Sequence, residues 1–514
     1  MSSVLTRGTA DLVAGEWREL TGDGIVSVNP ARPAEELWRG SANVGHVDDA
    51  VAAARAAQRE WAAWPQEKRF DALRVYRDLC KARKDEIAQL ICRETGKVMW
   101  DAAGEAGALA AKVDITLDAS EHGGLKRVSG YEVGLTDSRV GRAWFRPHGV
   151  MAVIAPFNFP AHLANGHIVP ALAMGNTVVL KPSDKAPAVG QLMGELFDAA
   201  LREVGAPAGV VNVVQGGAEV AQKLTTHEGI DGILFTGSWP VGRRILEANL
   251  DHPGRIVALE MGGNNPAVVM PDCDLRQAVI ECGRSAFVTT GQRCTCTRRI
   301  IVHKAIADRF IAGLCKVAGS LVIGDPDAAH PVFMGPIISG ESRDAVLAAQ
   351  GDFARAGGEV MIESTAVDSA GGGYFLSPSV VRVDRFSIAN EGAAGCDREV
   401  FGPLVRVSVT DSFDDALEQA NATRFGLAAS VFTSDDTIAQ RFLAEAKAGC
   451  VNVNTGTAGA SSKLPFGGLG HSGNHRPAGS FSLDYCAYPV AGMLESGDAA
   501  AVPQGMKMED GWLD

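Results

Sequence analysis

After Gly149 the chain alternates between short apolar, β-branched runs and longer stretches with helical spacing. The runs fall at 151–155, 177–180, 210–214, 232–235 and 256–259. Between them lie helical patterns such as 188–204, which Gly205 and Pro207 bring to an end. Strand–helix–strand alternation predicts a parallel sheet covered on both faces. A second set follows: a strand at 266–270, a helix at 274–290, a strand at 299–303 and a helix at 304–321. The chain therefore reads as two α/β units. Ahead of them, an alanine-rich stretch at 47–64 and the recurrence of Phe70, Leu73, Tyr76, Cys80, Ile87 and Leu90 predict helices that opposed one face to a core.

Two segments follow a period of two instead. Residues 131–146 read as two strands about Asp137 and Ser138, a hairpin, and Phe481, Leu483, Tyr485 and Ala487 alternate near the C-terminus. Exposed strands of this kind invite pairing with a second chain. Residues 496–514 are polar and aperiodic, a loosely held tail.

One stretch tests the soluble reading. Residues 149–180 contain no Asp, Glu, Lys or Arg, long enough to span a bilayer. They also contain Pro156, Pro160 and Pro170 with Asn158, His162, Asn165, His167 and Asn176, which suits a buried strand, a loop and a buried helix. A membrane span is rejected. At 514 residues the chain exceeds what one core supports. Its net charge of −13 and 6% aromatic content argue against a nucleic-acid partner, which needs a basic footprint or stacking platforms. Ten scattered cysteines without a secretion signal read as reduced thiols in the cytoplasm. Neither CxxC nor HExxH occurs, so no metal is expected. Glycine, at 59 residues, is about 11% against a usual 7%, which points to backbone passing close to a ligand or another element.

Three residues carry candidate chemistry. Cys294 sits behind a Gly-Gln turn at the end of a helical pattern. Glu260 ends an apolar strand beside paired glycines, where burial would raise its pKa and suit it to general-base work. Asn158 follows the strand at 151–155, and its amide could donate to a developing oxyanion. The literal GxGxxG at 468–473 follows no strand and reads as coincidence.

In this context the chain resembles the aldehyde dehydrogenase superfamily over nearly its whole length. The family's strings occur in order: Pro-Phe-Asn-Phe-Pro (156–160), Lys-Pro-Ser (181–183), Phe-Thr-Gly-Ser (235–238), Leu-Glu-Met-Gly-Gly (259–263), Gly-Gln-Arg-Cys (291–294), Glu-Val-Phe-Gly-Pro (399–403) and Pro-Phe-Gly-Gly (465–468). The resemblance implies an α/β fold with a Rossmann-type NAD-binding domain (1–127 and 149–258), a catalytic domain (259–478), a β oligomerisation arm (128–148 and 479–495) and a tail (496–514). It implies Cys294 as nucleophile, Glu260 as general base and Asn158 as oxyanion donor. Lys181 and Glu399 would meet the cofactor riboses, and Gly237, Ser238 and Gly242 the pyrophosphate, with Ser183 and Phe401 from the same strings beside them. Asp184 stands where the family often has Glu, which implies NAD with some tolerance of NADP. A homodimer or homotetramer is expected from the arm.

Members that pass the thioester to coenzyme A lack the glutamate at the Glu260 position, so its presence favours hydrolysis; a catalytically dead scaffold is disfavoured by the retained Cys, Glu and Asn. Cys296 is either a small neighbour of the nucleophile or its redox partner. Further stretches, at 146–149, 162–170, 291–296, 473–477 and 484–487, resemble the branch that oxidises N-succinylated semialdehydes in arginine breakdown. A dehydrogenase of α-aminoadipate semialdehyde is the alternative. A carboxylated semialdehyde needs fixed cations or donors away from the reacting carbon, and Arg293 ranks first, because a guanidinium grips a carboxylate bidentately. His162, His167 and Arg476 follow, each equally open to a core or loop role, and Ser461 lies in the loop that holds substrate carboxylates in related enzymes.

Overall fold

The apolar runs after Gly149 become five adjacent parallel strands, ordered Ile256–Glu260, Gly232–Thr236, Val150–Ile154, Thr177–Lys181 and Val211–Val213. The computed structural model, which describes residues 4–497 and 502–514, adds antiparallel Ala10–Val13 and Glu16–Glu19 at one edge. Every residue of Val150–Ile154 is buried, because both faces are covered. Met151 and Val153 enter a core with the helices Gln66–Ala82, Met99–Thr116 and His162–Ala173. Val150, Ala152 and Ile154 point the other way, towards His46–Ala63 and Ala218–Thr226.

A second seven-stranded sheet runs Glu359–Ile362, Ser379–Arg382, Leu404–Thr410, Thr297–His303, Asn265–Val269, Ala428–Phe432 and Cys450–Val453, parallel except for its first strand. A separate three-stranded sheet is made of Tyr131–Gly134, Arg139–Pro147 and Ala487–Glu495. Among the described residues no helix is long and apolar enough to cross a membrane.

Three expectations change. The first forty residues are not a prelude to helices: they hold Ala10–Val13, Glu16–Glu19, Ile25–Asn29 and Arg32–Gly40. The first pair closes on a turn with Ala14 and Gly15 at φ 54° and 76°, a geometry usually announced by Asn-Gly and not by Ala-Gly. The alternation at 481–487 is not a strand. Successive turns, with N–H to C=O bonds from Asp484 to Phe481 and from Cys486 to Leu483 (both 3.0 Å), bury Leu483 and Tyr485 in the first core, and the strand begins at Ala487. The helix expected to 290 stops at Phe287. Of the tail, residues 498–501 lie outside the described residues, and Asp510–Trp512 forms one 3-10 turn.

Arg299 locks the second sheet from within. Fully buried, it donates to Asn264 O (2.7 Å), Gln419 O (2.8 Å) and Ala420 O (2.9 Å), so one guanidinium ties the entry of Asn265–Val269 to the last carbonyls of the helix Phe413–Asn421. Arg299→Met would remove the guanidinium from Asn264 O and Ala420 O, and leave Gln419 O only its bond from Ala422 N, at a cost of about 2 kcal/mol or more. A markedly lower thermal midpoint by differential scanning calorimetry is expected; an unchanged midpoint would contradict this account.

Candidate active site

The strand registers gather the candidate residues. Lys181 pairs with Ile154, and Glu260 with Thr236, so these residues share the carboxyl edge of the first sheet, where parallel sheets bind ligands. Asn158 follows Ile154 in the next loop. From Glu260 the chain passes through Met261 to Asn264 and enters the second sheet at Asn265, which pairs with Thr297, just after Cys294. The carboxyl edge of one sheet thus meets the amino edge of the other at Cys294.

The loop that presents Cys294 is strained. Thr289, Thr290 and Gly291 adopt φ of 54°, 55° and 69°, a left-handed run that β-branched residues rarely accept. Named contacts hold it. Thr289 Oγ1 donates to Asp101 Oδ2 (2.5 Å) and Thr290 Oγ1 to Gly335 O (2.8 Å). Arg293 Nη2 pairs with Asp101 Oδ1 and Arg293 Nε donates to Thr289 Oγ1, both at 2.7 Å. Asn265 Nδ2 reaches Cys294 O (2.7 Å) and Cys296 O (2.8 Å), and Gly263 is the close approach that permits this, since a Cβ there would lie 2.6 Å from Cys294 O. Asn158 Nδ2 donates to Gln292 O at 3.0 Å, from a buried position.

Electrostatics at this junction disfavour charge. Burial lifts the Glu260 carboxyl well above its ordinary range, and Glu260 Oε2 has no hydrogen-bond partner. Burial, then the neighbouring Glu260 and Glu399 carboxylates, push the Cys294 thiol up to about 12, opposed only by Arg298. The chemistry expected from sequence requires the thiolate, which this environment penalises.

Two cavities meet at Cys294, which lines both together with Leu163 and Phe466. The larger, about 630 Å³, is lined by Asn158, Glu260, Lys181, Ser183, Asp184, Gly237, Ser238, Glu399 and Phe401. Gly242 stands behind it, packed on Met261. Ser238 heads the helix Trp239–Ala248 without a side-chain cap; Pro240 has no N–H, and the Val241 and Gly242 N–H groups donate to Ser238 O, which leaves the Trp239 N–H as a donor at that end. Glu399 accepts from Gly263 N at 2.9 Å. The smaller cavity, about 200 Å³, is lined by Arg293, His162 and Ser461 of the expected substrate set. His167 and Arg476 line neither. His167 is buried between Tyr485 Oη (2.9 Å) and Thr236 Oγ1 (3.1 Å), and Arg476 is exposed on the surface.

The order of sequence strings and this junction agree with comparison to known proteins. The model of the aldehyde dehydrogenase family matches residues 17–489. The chain belongs to the aldehyde dehydrogenase family. It is 46% identical over 462 residues to N-succinylglutamate 5-semialdehyde dehydrogenase 1 of Caulobacter vibrioides, covering 90% of this chain and 94% of that protein. Identity to N-succinylglutamate 5-semialdehyde dehydrogenase of Sphingopyxis alaskensis is 41% over 488 residues, 95% of this chain and 97% of that protein. The crystal structure of PnpE in complex with nicotinamide adenine dinucleotide superimposes with a TM-score of 0.88 at 31% identity, covering 97% of this chain and 100% of the other.

Within this family frame, sequence reasoning passed over Asp101, Lys112 and Asn265. Asp101 and Lys112 sit on the alanine-rich helix Met99–Thr116, far in sequence from the motifs; the only signal was charge on an otherwise small-residue helix. Asn265 lies two residues past the Leu-Glu-Met-Gly-Gly string, but its two bonds to the nucleophile loop depend on the register between sheets.

The state of the thiol can be measured. In ligand-free protein, alkylation of Cys294 by iodoacetamide, followed by peptide mass mapping, should keep rising with pH without a plateau below pH 10, because burial and two carboxylates penalise the anion. A plateau between pH 8 and 9 would show an unperturbed thiol.

Proposed function

We propose that this chain oxidises N-succinyl-L-glutamate 5-semialdehyde to N-succinyl-L-glutamate with NAD. The observation that carries the reading is Cys294 at the meeting point of two cavities with the buried Glu260 beside it, its Oε2 without a partner, in a chain whose relatives bear that activity in their names. The larger cavity suits a dinucleotide: Lys181 is a buried cation whose charge is disfavoured by burial, and the uncapped helix end at Ser238 offers the Trp239 N–H to a diphosphate. We assign residues 1–127 and 149–258 to NAD binding and 259–478 to catalysis.

The Cys294 thiol gives up its proton to solvent, and Sγ bonds to the aldehyde carbon. The aldehyde oxygen takes up negative charge. An amide nitrogen carries two protons, and Asn158 Nδ2 uses one on Gln292 O, leaving the second for that oxygen. The Cys294 backbone N–H is the other donor assigned to it. When bound, NAD supplies the hydride acceptor that converts the thiohemiacetal to a thioester. Glu260 then takes a proton from water as its oxygen attacks the thioester carbon, and the thiol leaves with the acid released. Lys181 and Glu399 hold the cofactor, with Ser183, Asp184, Gly237, Ser238, Gly242 and Phe401 around it.

Glu260→Gln should form reduced cofactor in one burst equal to the enzyme present, then turn over about 10²- to 10⁴-fold more slowly. The base works ionised and burial raises its pKa, so the wild-type steady-state rate should climb with pH along a limb above the ordinary 4.5 of Glu. Full steady-state activity in the variant would remove Glu260 from this role.

We also infer a homodimer or homotetramer in the cytoplasm. Tyr131, Val133, Tyr488 and Met493 expose apolar side chains on the three-stranded sheet, and the cysteines are free thiols. Light scattering at micromolar concentration should give at least twice the mass of one chain; a monomer would refute the assembly.

A further inference from the structure

The smaller cavity contains a cation that no carboxylate balances. Of the cations around it, Arg293 is paired with Asp101 at 2.7 Å, and Lys97, beneath Phe159, is paired with Glu105. Lys112 lines the same cavity and is 3% exposed. Its Nζ donates to two neutral acceptors, Gly479 O at 2.7 Å and Ser482 Oγ at 3.1 Å. An ammonium has three N–H groups, so one donor remains. Among the described residues no Asp or Glu pairs with it.

The groups facing Lys112 supply no negative charge either. On the helix His162–Ala173, burial pushes His162 down to about 4 and His167 to about 3, so both rings are neutral at pH 7. Across from them, burial raises the Cys486 thiol and the Tyr485 phenol. His162 also has a buried Nδ1 with no partner, on the wall of the same cavity. An unbalanced buried ammonium is costly unless a ligand brings the opposite charge.

We propose that Lys112 is the specificity-determining residue of this enzyme, its ammonium pairing with the substrate carboxylate remote from the aldehyde and His162 standing beside it as a further polar contact. This rests on the substrate reading above. In N-succinyl-L-glutamate 5-semialdehyde that group is the succinyl carboxylate. Arg293 lines the cavity too, but its guanidinium is engaged by Asp101 and Thr289, which ties it to the nucleophile loop. The charge of Lys112 carries its own signature: burial lowers it to about 8. An amine is charged below its pKa and a bound carboxylate raises that pKa, so affinity for the remote carboxylate falls as pH rises from about 8 towards the higher pKa of the complex.

The test uses the full chain with two aldehydes, the N-succinyl and the N-acetyl derivatives of glutamate 5-semialdehyde; the second lacks the remote carboxylate and the methylene that carries it. Lys112→Met should lower the succinyl-to-acetyl ratio of kcat/KM by about 10- to 100-fold, the range for one charge-assisted contact, and Lys112→Arg should restore part of it. In the wild type, KM for the succinyl substrate should rise above pH 8, and in Lys112→Arg it should not. Without cofactor, N-succinyl-L-glutamate should raise the thermal midpoint of the wild type and not that of Lys112→Met, a comparison that also reports whether the variant folds. Equal losses on both aldehydes, or a ligand shift retained in Lys112→Met, would overturn the assignment. A wild type that does not prefer the succinyl substrate would overturn the substrate reading instead. Lys112 is then judged by the kcat/KM ratio of succinate semialdehyde to butanal, which must fall in Lys112→Met for the assignment to stand.

Discussion

Presentation of Cys294 rests on three consecutive left-handed residues, two of them threonines, and such a run does not hold itself. Thr289 and Thr290 carry Cβ branches into a region that hard-sphere contacts disfavour, at a cost of about 1–3 kcal/mol each. The conformation persists because Asp101 receives Thr289 Oγ1 and Arg293 together, Gly335 O receives Thr290 Oγ1, and Asn265 grips two carbonyls beyond the turn. Each of these anchors belongs to a different part of the chain. Asp101 comes from a helix on the first sheet and Asn265 from the first residue of a strand in the second. The nucleophile is therefore placed only when both sheets are formed and docked.

The same docking explains the charge balance at the junction. Bringing two sheet edges together removes water, and Glu260 and Cys294 are both left in an environment that prefers their neutral forms. With the thiol and the carboxyl both neutral, each must release a proton before Sγ can attack or Glu260 can accept a proton from water. Asn158 follows the same logic. Its amide is already oriented by Gln292 O, so a donor faces the reacting region without reorganisation.

Most of the first sheet and the cofactor-facing residues were legible because the information is local. An apolar run ends, a glycine, lysine or glutamate follows, and a parallel sheet puts all such ends on one edge, as Lys181 and Glu260 illustrate. The family's strings are short for the same reason. What escaped depends on contacts between distant segments. Asp101 and Lys112 lie on a helix whose alanines give a weak periodic signal, and their significance appears only once the loop at 288–294 and the turns at 478–486 close over them. The alternation of Leu483 and Tyr485 was real, but turns can bury alternate side chains as strands do. The hairpin of Ala10–Val13 and Glu16–Glu19 turns at Ala14-Gly15, without the Asn-Gly or Asp-Gly that usually marks one.

The helix Met99–Thr116 carries Asp101, Glu105 and Lys112 on one face, since steps of four and eleven residues bring side chains back to within about 40° of each other. Glu105 fixes the start of the neighbouring helix by accepting from Ala161 N and His162 N, both at 3.1 Å. A single rigid rod thus sets the nucleophile loop at one end and an ammonium at the other, about 16 Å of axial rise away over the eleven steps from Asp101 to Lys112. Such a rod works as a ruler. Its two marks cannot drift independently, and the length of molecule that fits between them is written in the pitch of the helix.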